Sequence, residues 1–339
     1  MIPRLQIPTP PDNRDSMSPS WKRWHHAAVL VDGHMDTFYK ELEEGRSWFK
    51  PQPKWHIDFA RLRKSGTDLQ ICAIYTPPKF EGADATVWAA RMINRIYEAE
   101  KTAPKQIRII RRRADLDLPR GVTGLLISIE GGLPLDGKLD MLDYFYNTGV
   151  RAMGLTHNPR NLLADGASVK RARGLTKFGK DVVKRMNALR MVLDVAHLHL
   201  AGFRDAIRIA RGPIVTSHTG LCRFLDRPRN ITDWQMKKIA ETGGVIAIDY
   251  LTEHLTGGPA PASVKDVVDN IEAVAEFVGV EHVALGSDFD GYNSVTKGLE
   301  DVTGVPNITK ELVRRGWGER DVKRVLGGNY MRVLKAVLA

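Results

Sequence analysis

Val122-Thr123-Gly124-Leu125-Leu126-Ile127-Ser128-Ile129-Glu130-Gly131-Gly132 is the stretch on which the fold turns. Val122 to Ile129 is almost continuously apolar, too short for an independent helix, and closed by an acid and two glycines. A strand that alternates buried and solvated faces would alternate in polarity; one buried on both faces does not. Seven further runs read the same way: Ala27 to Asp32, Asp68 to Tyr75, Val150 to Leu155, Met191 to Ala196, Pro213 to Ser217, Val245 to Tyr250 and His282 to Ser287. Amphipathic helices separate several of them. These are Thr86 to Glu100, with Val87, Ile93 and Ile96 or Tyr97 inward, Asp181 to Leu189, Leu200 to Ala210, Thr232 to Glu241 and Ser263 to Val278. Thr232 and Gln235 form a capping-box pattern. Strands alternating with helices imply parallel pairing, and eight of them imply an α/β fold of the closed (β/α)8 TIM-barrel type. Thr309 to Arg315 and Asp321 to Val337 add C-terminal helices, split by Gly316-Trp317-Gly318.

The chain has 339 residues, which one barrel domain accommodates. The economical division is an N-terminal extension over 1–26 and a single barrel domain over 27–339. Phe38 to Pro53 reads as a long polar loop carrying Trp48 and Phe49, a lid or a dimer contact, so a homodimer is one expectation. Hydrophobic residues make up 43% and charged residues 27%, as in soluble proteins. No apolar run approaches the ~18 residues of a membrane helix, and the polar, basic N-terminus lacks the apolar core of a signal peptide. Cys72 and Cys222 make no disulfide framework, so the expectation is a cytoplasmic protein with no membrane partner. The net charge of +10 is dispersed; its one dense run, Arg111-Arg112-Arg113, reads as a solvated turn, and no nucleic-acid motif accompanies it.

Chemistry-bearing residues cluster at strand ends. His34 and Asp36 follow the first strand, Glu130 the third, His157 the fourth, His197 the fifth, His218 the sixth and Asp288 the eighth. All C-terminal strand ends of a barrel open onto one face, where active sites are built. His34 and Asp36, two apart on an extended chain, suit a divalent ion such as zinc. Glu130 ends an apolar run and needs a partner, either a salt bridge or a pair of cations. His197 and His218 are each readable as satisfied core histidines; together, at adjacent strand ends, they read as ligands. His199 competes for the place of His197. Asp194 points inward and can orient a ligand. His25, His26, His56 and His282 read as structural, and His254 lies near the mouth without an assigned role.

These residues resemble the membrane (renal) dipeptidase family of zinc metallopeptidases, within the amidohydrolase-like barrels. The likeness covers nearly the whole chain from Val31. It runs through Asp32-Gly33-His34-Met35-Asp36, Ile129-Glu130-Gly131-Gly132, Leu155-Thr156-His157-Asn158 and Gly174-Leu175-Thr176-Lys177-Phe178-Gly179. It continues through Leu193-Asp194-Val195-Ala196-His197, Ser217-His218-Thr219, Arg229-Asn230 with Asp233, and Gly286-Ser287-Asp288-Phe289-Asp290-Gly291. Gly298-Leu299-Glu300-Asp301-Val302 and Gly327-Gly328-Asn329-Tyr330-Met331-Arg332-Val333-Leu334 complete it.

The resemblance implies a soluble, prokaryotic-type member that hydrolyses dipeptides with a hydroxide bridging two divalent ions, most often zinc. His34 and Asp36 would hold one ion, His197 and His218 the other, with Glu130 bridging. His157 would contact the substrate carbonyl, Arg229 its carboxylate, Tyr250 would lie near the substrate, and Asp288 would handle the proton. Met35 departs from the small or polar residue usual between the first ligands, Leu133 stands where some members carry histidine, and the loop after the first strand is long. These departures leave every ligand position filled and the side chains of the substrate open. The alternatives are hydrolysis of another small amide, such as an N-acyl amino acid or a lactam, and a non-catalytic barrel binding an anionic partner. A phosphoester hydrolase fits less well, because such relatives commonly use two histidines on the first strand and a carboxylated lysine as bridge.

Overall fold

In a computed structural model of the chain, which describes residues 20–339 apart from 259 and 295, nine strands form one sheet. They are β1 (Val31–Met35), β2 (Leu69–Tyr75), β3 (Ile107–Ile109), β4 (Thr123–Glu130), β5 (Val150–Gly154), β6 (Val192–Asp194), β7 (Val215–Thr219), β8 (Val245–Ile248) and β9 (Val283–Leu285). Pairing is parallel in the order β1-β2-β4-β5-β6-β7-β8-β9. A bridge between Met35 and Phe289 closes the ring. There the amide of Asp36 donates to the Phe289 carbonyl at 2.8 Å and that of Asp288 to the His34 carbonyl at 3.1 Å. This is the eight-stranded (β/α) barrel. The short β3 lies beside β4, off the ring.

All eight residues of β4 are buried, which explains the unbroken apolar run. Leu125, Ile127 and Ile129 belong to the large core under the helices. Leu126 instead joins Val31, Leu69, Ala152, Val192, Val215, Val245 and Ala284 inside the barrel. Tyr330, Val333 and Leu334 of the last helix also belong to this inner core. Successive strand residues alternate faces, so Leu126, Ser128 and Glu130 all face the interior, and Glu130 is delivered to the mouth. The β1–β2 register shifts between Asp32 and Met35, and such an irregularity re-aims side chains at the strand end that carries His34 and Asp36.

Several elements differ from the sequence reading. The first strand starts at Val31, because Ser20–Ala27 is helical and packs on Pro306–Arg314. His25 anchors that helix, with ring contacts to Thr309 Oγ1 at 2.8 Å and to the Ser65 carbonyl at 3.1 Å. Residues 1–19 of the expected extension lie outside the described residues. The supposed loop from Phe38 begins inside a helix, Thr37–Glu44. Trp48 is only 1% exposed. Its ring lies 5.0 Å from that of Phe38, 5.5 Å from Phe49 and 5.2 Å from Phe59. The aromatics that suggested a lid are therefore used in packing.

The helix expected from Thr86 runs Gly82–Thr102, and Val87 is 56% exposed rather than inward, whereas Ile93 and Ile96 are buried. Phe59–Ser65 and Asp140–Asn147 are further helices. The final helix is broken by a wide turn at Arg324–Gly328. The Thr232–Gln235 capping box is formed. Among the described residues no helix is long and apolar enough to cross a membrane.

Candidate active site

Six strands deliver the chemistry. His34 lies within β1 and His218 within β7, Glu130 is the last residue of β4, and Asp36 directly follows β1. His157, His197 and Asp288 each lie three residues beyond β5, β6 and β9. His197 and Asp288 have left-handed backbones, at φ 61° and 59°. That conformation is costly away from glycine and is retained where a site over-determines it. Gly131, at φ 89°, turns the chain directly after Glu130; a Cβ there would lie 2.9 Å from the His157 amide.

Glu130 Oε1 is the hub. It lies 2.9 Å from His197 Nε2, 3.6 Å from His218 Nε2 and 3.7 Å from His34 Nε2. His34 Nε2 also lies 3.5 Å from Asp36 Oδ2 and 3.9 Å from Asp288 Oδ1, while the Nε2 atoms of His197 and His218 are 2.9 Å apart. Ligand atoms within 4.8 Å of one another group as His34/Asp36/Glu130, Glu130/His157/His197 and His34/His218/Asp288. Glu130 and His34 each belong to two of these groups. His157 and Asp288 come as close as the expected ligands do.

The donor set fits divalent ions. His34 Nε2 and Asp36 Oδ1 are buried without a hydrogen-bond partner among the described residues, a costly state unless something else pairs with them. Burial pushes Glu130 up to about 7, with Asp36 adding to the rise and His34 opposing it. Burial also holds Asp288 well above the usual carboxylate range. Burial alone would lower His34, but Glu130, Asp36 and Asp288 raise it to about 10. In the bare protein, then, crowded carboxylates draw a proton onto His34, and a divalent ion would supply that positive charge instead. His197 and His218 are pushed below the usual histidine range, chiefly by burial, which keeps them neutral as ligands must be.

Neighbours set the ring tautomers. Ser217 Oγ donates to Asp194 Oδ2, so it accepts from His218 Nδ1 at 2.8 Å. Asp194 Oδ1 accepts the Ser217 and Ala196 amides. The Asp194 influence on the site thus passes through Ser217. His197 Nδ1 donates to Asn158 Oδ1 at 2.8 Å. Both arrangements leave the Nε2 lone pairs free toward Glu130. Ser217→Ala is expected to weaken metal affinity by about 10- to 100-fold while removing no ligand. Competition with a graded series of chelators measures this, and unchanged affinity would remove Ser217 from the support.

The remaining histidines resolve by their partners. His199 Nδ1 accepts the Ala201 amide at 3.1 Å and caps the helix Leu200–Ile209, so His197, not His199, is at the mouth. His254 Nδ1 donates to buried Asp249 at 2.6 Å. His56 pairs with Asp290, and His282 with the Gly244 carbonyl.

His157 packs 4.3 Å from His197 and 4.8 Å from Tyr75, ring centre to ring centre. Burial, with help from Arg229, pushes it down to about 4, so it is neutral near pH 7. Arg229 Nη2 donates to the His218 carbonyl at 3.0 Å, while its buried Nε has no partner among the described residues. Tyr250 is 1% exposed and packs on Phe289, part of the core beneath the mouth. Sequence reasoning missed the supporting contacts of Asn158, Ser217 and Tyr75. Tyr75 was findable: it ends β2 in register with Glu130.

Comparisons with known proteins agree with this geometry. The family model for membrane dipeptidases, peptidase family M19, matches residues 20–339. A probable dipeptidase, PvdM, from Pseudomonas aeruginosa is 21% identical with a TM-score of 0.85, over 94% of this chain and 97% of that one. Dipeptidase AC, a metallopeptidase, is 25% identical with a TM-score of 0.85, over 92% and 99%. A metallopeptidase from Rhodobacter sphaeroides, solved with a phosphinate mimic of the dipeptide L-Ala-D-Ala, is 23% identical with a TM-score of 0.86, over 91% and 99%. A match spanning every described strand, on a barrel whose mouth gathers these histidines and acids, makes the chain a member of the membrane dipeptidase family of metallopeptidases.

Proposed function

We propose that the protein is a two-metal dipeptidase. The observation that carries this reading is Glu130 Oε1, placed within 3.7 Å of the Nε2 atoms of His34, His197 and His218 at the centre of the barrel mouth. His34 and Asp36 would hold one ion and His197 and His218 the other, with Glu130 shared; the histidine and carboxylate donors suit zinc. Bound divalent ions supply a water acidified to a pKa of about 7 and polarise the substrate carbonyl.

The chain's own groups do the rest. Arg229, whose Nε has no partner among the described residues, would bind the free carboxylate of the substrate. Neutral His157 donates to the carbonyl oxygen as negative charge develops there. Asp288 Oδ1, beside His34 Nε2, accepts the proton of the attacking water and returns it to the leaving amine. The family supports dipeptides over other small amides, and a cytoplasmic enzyme acting on small peptides is the setting this reading favours.

The test is a panel of dipeptides, their C-terminal amides, N-acyl amino acids and lactams, assayed on zinc-loaded protein. Free dipeptides are expected to be cleaved best, and Arg229→Met to erase the preference for the free acid over the amide. Faster cleavage of N-acyl amino acids or lactams would move the protein to the wider amidohydrolase reading. No cleavage by protein shown to hold two metals would reject both.

A further inference from the structure

We propose that the buried pair of Asp249 and His254 is a positioning device for Arg229, holding the carboxylate anchor in place through Asn230; this rests on the dipeptidase reading and deepens it. Asp249 directly follows β8, at the mouth end of the barrel. Val245 and Ala247 belong to the inner core, so the alternation along the chain carries Asp249 inward as well. Its amide donates to the carbonyl of Thr219, the neighbour of His218, at 3.1 Å. The carboxylate is buried and both its oxygens are used. Oδ1 accepts the Leu251 amide at 3.2 Å, and Oδ2 accepts from His254 Nδ1 at 2.6 Å. These bonds tie the short helix Thr252–Leu255, which carries His254, to the end of β8.

That helix in turn holds Asn230. The His254 carbonyl accepts from Asn230 Nδ2 at 2.8 Å, and the same Nδ2 donates to the Leu225 carbonyl at 2.9 Å. The fit is close: a Cβ on Gly220, which directly follows β7, would lie 2.3 Å from the His254 carbonyl oxygen and 2.9 Å from Asn230 Oδ1. Arg229 immediately precedes Asn230. Its carbonyl accepts from Thr219 Oγ1 at 3.5 Å, and its Nη2 donates to the His218 carbonyl at 3.0 Å. The backbone that carries Arg229 is thus fixed from Asp249, by way of His254 and Asn230, while its side chain leans on the strand that carries His218.

Stability alone does not explain the pair. Burying a carboxylate and an imidazole costs desolvation that well-packed apolar side chains avoid, whereas fixing one arrangement of the chain is a use such pairs serve. The anchor needs that service. Metal ions at the mouth would hold the reacting end of a dipeptide, so the guanidinium must stand at a set distance from them to meet the terminal carboxylate, and hydrogen bonds weaken steeply when their geometry is lost.

The experiment uses zinc-loaded protein with a dipeptide and its C-terminal amide. His254→Ala removes the link to Asp249, and His254→Asn keeps a side-chain nitrogen donor at the same number of bonds from the backbone. Asn230→Ala cuts the chain at its other link. The expected result for His254→Ala and Asn230→Ala is a rise in KM for the free acid of about 10-fold, the lower end of what losing a hydrogen bond to a charged group costs. kcat, metal content and the KM of the amide stay unchanged. His254→Asn should restore most of the loss. Thermal unfolding is followed for each variant, and if His254→Ala does not fold, Asn230→Ala carries the test. An unchanged KM for the acid in a folded variant, equal rises for acid and amide, or a His254→Asn as impaired as His254→Ala overturns the proposal. Loss of a metal ion also overturns it, placing the pair behind His218 instead. If the unmutated protein prefers the free acid and the folded variants keep that preference, only this inference fails. If the unmutated protein shows no preference, the carboxylate-anchor reading of Arg229 fails with it.

Discussion

Asp288→Asn is expected to keep both metal ions and lose turnover by about 10²- to 10⁴-fold, the usual contribution of a general acid–base group. That corresponds to roughly 2.7–5.5 kcal/mol of barrier. Asn suits the position, because Asp288 sits at φ 59° and asparagine is among the side chains that tolerate that region best. The surrounding space also favours a shape-preserving change. A Cβ on Gly291 would lie 2.5 Å from Asp288 Oδ1 and 2.6 Å from Asp36 Oδ2, so the two carboxylates converge over a residue that has none. Asn keeps that packing and removes the proton acceptor.

Asp290→Asn is the control. Its carboxylate binds Thr37 Oγ1 at 2.6 Å and the His56 amide at 2.7 Å, both structural, so it should affect stability more than turnover. Metal content must be measured on the same samples, because Asp288 also groups with His34 and His218. Loss of an ion in Asp288→Asn would make Asp288 a ligand. Near-normal turnover with both ions present would remove it from the mechanism.

His197→Ala or His218→Ala is expected to empty one metal site and depress turnover by more than about 100-fold, exceeding the loss from removing a mere supporting hydrogen bond. Each removes an Nε2 that faces Glu130, at 2.9 and 3.6 Å. His199→Ala should leave both sites filled. It gives up the helix cap on Ala201 at 3.1 Å, a stability cost on the order of 1 kcal/mol. Elemental analysis of the three variants, with thermal unfolding of each, separates ligand from cap. Metal loss in His199→Ala with retention in His197→Ala would reverse the assignment.

The barrel was legible because its strands are buried on both faces, so runs such as Leu125-Leu126-Ile127 announce themselves without a partner. The convergence of His34, Glu130, His157, His197, His218 and Asp288 was legible for a topological reason: parallel strands end on one face whatever their exact bounds. Where the sequence reading erred, contacts distant in the chain decided the outcome. Ala27 is helical because His25 reaches Thr309, and Trp48 is core because Phe38 and Phe59 surround it. Val87 has the side chain of an inward residue but stands on the outer face of its helix.

The choice between His197 and His199 shows the same division. Two residues apart, they are equivalent as text. Only the left-handed backbone at His197, and the helix that begins just after His199, send one ring to Glu130 and the other to an amide. Residue type and strand order thus determined which chemistry collects at the mouth. Which nitrogen points where, which acid is already satisfied and which donors are left spare were decided by the tertiary structure, because hydrogen bonds depend on distances of a few tenths of an ångström between residues far apart in the chain.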